Sequence, residues 1–264
     1  MTYCTAVRID AGLVFLSDSR TNAGVDQIST FRKMHVYDVP GERVMVLLSS
    51  GNLSLSQAVA SSLRVQMKQA GEVSGQDDGQ AEPVDRQPAA DEGRNLATAP
   101  NMFSAARIVG ETVRRVHARE AAALKDYGID FNINLIFGGQ IRGEAPRLFN
   151  IYAAGNFIEA TPETPYFQIG ESKYGKPIMD RVVDGDLSLD EAAKCCLISM
   201  DSTMKSNLSV GLPLDLLCYE TDSLRVTRQA MIDGKDPYFA SLRERWGEQL
   251  RKVFSELPDP AYWA

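Results

Sequence analysis

The sequence predicts an α+β fold in which two antiparallel sheets stack face to face with helices outside, a four-layer αββα sandwich. Three observations carry this. Strand-patterned segments come in blocks separated by pairs of helical segments, whereas a parallel sheet would alternate single strands with single helices. The run VMVLLSS at 44–50 is apolar at successive positions, so that strand needs cover on both faces. A chain of 264 residues, 44% hydrophobic and 24% charged with a mean hydropathy of −0.21, can bury a full core without disulfide or metal.

The elements follow from local pattern. Residues 3–9 and 13–17 read as strands joined at Asp10-Ala11-Gly12, a hairpin that starts at the second or third residue. A polar loop over 21–29 leads to strands at 32–39 and 43–50, separated by Pro40-Gly41. Ser54-Leu55-Ser56-Gln57 has the form of a capping box, and Leu55, Val59 and Leu63 recur every four residues, so a helix is predicted to about residue 69. A second helix begins near Ser104 with Ala105, Val109, Val113 and Val116 on one face, and stops at Gly128. Strands are predicted at 132–137, 147–153 and 167–170, then a short helix at 174–182. A longer helix starts at the capping box Ser188-Leu189-Asp190-Glu191 and runs to about 205. Strands at 214–220 and 224–228 and a closing helix at 237–257 complete the pattern. Residues 71–100 break it: seven acids, two arginines, four glycines and three prolines with few larger aliphatics read as a disordered acidic insertion in an otherwise single domain over 1–264.

Charge and composition exclude several function classes. The formal charge is −7 and the pI about 5.0, without the clustered Lys and Arg that phosphate binding needs, so nucleic acid is not expected as a partner. No apolar run approaches a membrane span, and the first residues lack the basic and apolar regions of a signal peptide. Cys4, Cys195, Cys196 and Cys218 lie in or beside apolar runs without metal-site spacing and read as reduced core residues, which fits a cytoplasmic location. With only His35 and His117, a three-histidine zinc site is excluded and a Ser-His-Asp triad would have to use one of two residues in patterned core segments. A hydrolase built on this chain is therefore expected to take its base from elsewhere.

Met1-Thr2, placed directly before a strand, offers one. Threonine is small enough for the initiator methionine to be removed, and removal leaves a hydroxyl nucleophile and a free α-amine on one residue. An α-amine titrates near pH ~7.7–8.0, so part of it is neutral and can take the hydroxyl proton. Asp18, at the end of the second strand, is returned beside Thr2 by the hairpin. Lys33 opens the third strand, and a lysine near the hydroxyl stabilises its alkoxide while an aspartate keeps that lysine charged. Gly51 follows a buried strand and precedes a helix, where a backbone N–H can face a developing oxyanion.

These residues carry a resemblance. DSRTNAG, the Arg32-Lys33 pair and SSG before the first helix resemble the proteasome β-subunit family, whose fold is the αββα sandwich of N-terminal nucleophile hydrolases. MTYC, SDSRTNAG, ISTFRKMHV, GERVMVLLSSGNL and IGESKYGKPI are more similar still to the bacterial proteasome-related Anbu group, over nearly the whole chain apart from the acidic insertion. The resemblance implies Thr2 as nucleophile and base, Asp18 and Lys33 as its polar partners, Gly51 as oxyanion donor and Arg20 as structural support. It implies a threonine-type peptide or amide hydrolase without cofactor or metal, assembled with itself in rings or stacks. Peptides or unfolded protein would be its substrates, with an unfolding partner yet to be identified. The chain departs from proteasome subunits in a shorter loop between Asp18 and Lys33. It has Gly170-Glu171-Ser172 in place of a serine-rich segment, and Asn207 and Val210 in place of an aspartate and a serine. Ser172, Asn207 and Ser209 are the candidates to replace those auxiliary groups. A specialised amidase acting on a small peptide or conjugate, and an inactive scaffold of the same fold, are the competing readings.

Overall fold

The computed structural model describes residues 1–22, 28–69 and 95–263. In chain order the elements are β1 (Tyr3–Ile9), β2 (Gly12–Asp18), β3 (Arg20–Asn22), β4 (Ile28–Thr30), β5 (Met34–Val39), β6 (Arg43–Gly51), α1 (Leu53–Gln69), α2 (Met102–Asp126), β7 (Ile133–Ile141), β8 (Arg147–Ile151), β9 (Phe157–Glu159), β10 (Tyr166–Gly170), α3 (Lys176–Val182), α4 (Leu189–Ser206), β11 (Leu214–Glu220), β12 (Arg228–Ile232) and α5 (Pro237–Glu256). One antiparallel sheet has the order β10-β1-β2-β11-β12 and a second the order β5-β6-β7-β8-β9, with β3 and β4 forming a two-stranded ribbon.

The two-residue period of the strands builds the layers. From β1 and β2, Tyr3, Val7, Val14 and Leu16 pack against Met179 of α3 and Ala192, Cys196 and Met200 of α4. Their alternates Cys4, Ala6, Leu13 and Phe15 face Val44, Val46, Leu48 and Ile136 of the second sheet. Met45, Leu47 and Phe137 point the other way, onto Val59 and Leu63 of α1 and Val109 and Val113 of α2. Three apolar cores therefore lie between four layers, and each Leu, Val or Phe sealed in them contributes roughly 1.5–3 kcal/mol through its removal from water. The predicted αββα sandwich is the observed architecture. Among the described residues no helix is long and apolar enough to cross a membrane.

Several local expectations need correction. The cap of α1 is Asn52, whose Oδ1 accepts the N–H of Ser54 at 3.0 Å and of Leu55 at 3.4 Å; Ser54 lies inside the first turn. The box at Ser188 and Glu191 forms as expected, both reciprocal bonds being present. The strand expected at 224–228 starts instead at Arg228, because Asp222 and Leu224 adopt left-handed backbone (φ 63° and 45°) and prolong the turn after β11. The four residues that follow, Arg228 to Met231, are exposed and show no apolar alternation. Thr21 and Asn22, expected in a loop, pair with Ser29 and Ile28 in the ribbon.

Most of the acidic tract falls outside the described residues, but its last part is ordered. Leu96 and Ala99 are buried in the helix-side core, and Arg43 Nη1 donates to their carbonyls at 2.8 and 3.0 Å. The disorder expected over 71–100 is therefore not found at residues 95–100; residues 71–94 lie outside the described residues. The four cysteines are buried free thiols, and burial pushes Cys195 and Cys218 up to about 11. His117 is not a core residue: it is exposed on α2 and meets Phe131 edge-on.

Candidate active site

The site begins with strand register. Pairing of Cys4 with Ser17 in the β1–β2 hairpin carries Asp18 alongside Tyr3, and the Tyr3 N–H donates to Asp18 Oδ1 at 3.1 Å. Lys33 immediately precedes β5, where its carbonyl accepts the Ser49 N–H at 3.0 Å and fixes it against the end of β6. From there its Nζ reaches Asp18 Oδ1 at 2.8 Å and the Arg20 carbonyl at 2.7 Å. The Asp18 side chain is fully buried and that of Lys33 is 5% exposed. An ammonium has three donors. Two are used here, and Lys33 lines the cleft with the remaining capacity.

Burial pushes the Asp18 carboxyl above its ordinary range, while the charge and hydrogen bond of Lys33, helped by the Tyr3 and Gly211 amides, pull it back. A buried pair of this kind costs more to break than to form, since removing one partner strands the other charge without water.

Thr2 is anchored from the opposite side. Its carbonyl accepts the Glu171 N–H at 2.8 Å, and Tyr3 pairs with Gly170 across β1 and β10. Gly170 has φ +81°, and a Cβ there would sit 1.9 Å from the Thr2 carbonyl oxygen, so only glycine lets the strand end approach the threonine this closely. Gly51 is likewise left-handed, φ +103°, where β6 hands over to α1, and a Cβ would meet the Asn132 carbonyl at 2.3 Å. Thr2, Lys33 and Gly51 line one cleft of about 700 Å³, with Met1 at its edge and 61% exposed. Neither histidine lines it. Among the described residues no group of three or more His, Cys, Asp or Glu is placed to hold a metal ion.

A family model described as proteasome subunit matches residues 107–212. The solved structure of Anbu, an ancestral beta-subunit, from Yersinia bercovieri is 50% identical, with 99% of this chain and 100% of that chain covered at a TM-score of 0.85. The chain belongs to the Anbu family. Anbu from Hyphomicrobium sp. strain MC1 is 49% identical, covering 98% and 99% of the two chains at a TM-score of 0.84. The Anbu complex from Pseudomonas aeruginosa, whose structure is a helical assembly, is 42% identical over 99% of each chain at 0.86. No curated protein matches. The fold is accordingly that of the proteasome-like N-terminal nucleophile hydrolases.

Within this Anbu fold the supporting residues separate. Arg20 donates to the Leu208 carbonyl at 3.0 Å and packs its guanidinium where a Cβ on Gly211 would be 2.5 Å from Cζ, tying β3 to the loop after α4. Asn207, on that loop, does not line the cleft: its Nδ2 lies 3.7 Å from Met1 Sδ while its Oδ1 accepts the Ser209 N–H at 3.0 Å. Ser209 thus steers Asn207. Ser172 opens the 3-10 turn Ser172–Tyr174 and does not line the cleft. Sequence reasoning missed Gly170 and Glu171, although both stand in the IGESKYGKPI motif; a glycine ending a strand was the signal for close backbone approach. Asn132 and Asn134, brought by β7, were also unforeseen, because a partner strand far along the chain supplies them.

Proposed function

We propose that this chain is a threonine-dependent amide hydrolase of the proteasome type, acting on peptides or unfolded protein in the cytoplasm. The observation that carries the reading is that Thr2 shares its cleft with Lys33, whose ammonium is held by the buried Asp18. With Met1 attached, the Thr2 nitrogen is an amide and cannot serve as a base. Once Met1 is removed, the Thr2 amine takes the proton of Thr2 Oγ as that oxygen attacks a substrate carbonyl. The Lys33 charge stabilises the alkoxide, and the Gly51 N–H faces the oxyanion. The leaving amine takes a proton, and water then cleaves the acyl ester to regenerate Thr2.

Self-association belongs to the same proposal. Its support is the helical assembly of the Pseudomonas relative together with α5, which exposes Leu250, Val253 and Phe254 along its distal half. An unfolding partner would feed such an assembly.

Intact-mass analysis of the purified chain, followed by an epoxyketone that reacts with hydroxyl and amine together, tests the chemistry. The expected result is loss of Met1, one adduct at Thr2, and no adduct or hydrolysis in Thr2→Ala. A Met-free protein that resists the probe and hydrolyses no peptide would leave the inactive scaffold as the better reading.

A further inference from the structure

Around the oxyanion position the cleft has an unusual lining. Gly51 is bracketed by Ser49, Ser50 and Asn52, α1 adds Ser56, β7 adds Asn134 through its antiparallel pairing with β6, and Asn132 stands just before β7. Ser49 and Ser50 are 4% and 5% exposed; by the two-residue period of the strand, Ser50 and its pairing partner Asn134 lie on the face that Val46 and Leu48 turn toward the first sheet, and Ser49 lies on the other. Among the described residues, Leu53 is the one large aliphatic side chain besides Met1 on the wall. The hydroxyl of Thr21, which lines the same cleft, is buried and unpartnered.

We infer that the pocket beside Thr2 selects a substrate whose acyl-side residue carries an uncharged hydrogen-bonding head, an amide or hydroxyl such as Gln, Asn or Thr, over a bulky apolar one. This rests on the assignment of Thr2 and Gly51 above. The carbonyl under attack must sit between Thr2 Oγ and the Gly51 N–H. The side chain on its acyl carbon then falls within reach of the residues flanking Gly51. An amide head meets donors and acceptors there and replaces the water it displaces. A leucine or phenylalanine would strip water from the serines and asparagines and return nothing, and sites built to hydrogen-bond a substrate discriminate strongly against analogues that cannot.

The test uses Met-free protein and two measurements. A small β-lactone without a side chain acylates Thr2 whatever the pocket prefers. A series of fluorogenic peptides that differ only in the acyl-side residue then reads the preference: Gln, Asn and Thr against Leu, Phe, Lys and Glu. The expected kcat/KM favours the amide and hydroxyl residues by tenfold or more. Ser50→Val and, separately, Asn134→Leu are expected to reduce the Gln-to-Leu ratio at least tenfold. The ratio is the readout, so a general loss of activity in either variant does not mimic the effect. Lactone labelling together with an equal or greater rate for Leu or Phe would overturn the polar pocket and leave the Thr2 assignment standing. Failure of the lactone to label Thr2 would overturn both.

Discussion

At the scale of single residues the site depends on two close approaches. Gly170 admits the Thr2 carbonyl, and a methyl group there would have to push β10 away from β1. Gly170→Ala is expected to cost at least about 1–2 kcal/mol for the left-handed backbone alone, and to abolish probe labelling of Thr2; thermal unfolding and adduct mass measure the two effects. Asp18 makes the second approach, to Lys33. Its carboxyl is raised in the folded state, so its contribution to stability is fully present below the unfolded value of about 3.9 and is lost as the pH rises through the folded value. Asp18→Asn should therefore flatten the dependence of unfolding free energy on pH above that point, read by urea titration from pH 4 to pH 7. At pH 7 the same variant leaves Lys33 buried without its counter-charge, and hydrolysis by the Met-free protein should fall at least a hundredfold. Thr2, Asp18, Lys33 and Gly51 were legible because each sits at a strand end whose position the hairpin and turn patterns set. Gly170, Glu171 and Asn134 were not, because they reach the cleft through pairings across more than eighty residues of chain.

Among the elements, α1 has the most direct bearing on the cleft, since it starts two residues after Gly51. Its first turn is satisfied by Asn52, which binds Ser54 and Leu55 through its side chain and the Asn132 carbonyl through its own N–H at 2.8 Å. Asn52→Ala is expected to cost about 1 kcal/mol and to loosen the Gly51 turn, seen as faster amide exchange at residues 51–55 in a hydrogen-exchange experiment. The sequence pointed to Ser54 because the capping-box pattern was present there, but the strand-to-helix turn closes earlier, where β7 meets β6. The same cause explains β12: with its residues exposed and the preceding turn left-handed, hydrophobic alternation had nothing to report. Residues 95–100 show the converse. They lie in the tract read as an insertion but carry none of its acids or glycines, and Arg43 and the core of α1 and α2 hold Leu96 and Ala99 in place.

For the whole molecule, α5 stands apart: Phe239 is its one buried residue, and Val253 and Phe254 are 54% and 79% exposed. If copies associate through this helix, replacing Val253 and Phe254 together with glutamate should lower the sedimenting mass by at least half, while circular dichroism stays that of the folded protein. The sequence by itself determined the layered fold, since alternating apolar strands covered on both faces and paired amphipathic helices have few other ways to hide their surfaces. It also directed the search for a base to the N-terminus, because the chain has only two histidines. The tertiary structure decided what surrounds the threonine. Only the antiparallel register of β6 with β7 and of β1 with β10 brings asparagines and a glutamate to the cleft. Only the folded chain brings the Lys33 ammonium to Asp18 and turns two separate charges into a buried pair. Local patterning fixes which face of a segment is buried, but a site made of strand ends from distant parts of the chain exists only after the sheets have closed on each other.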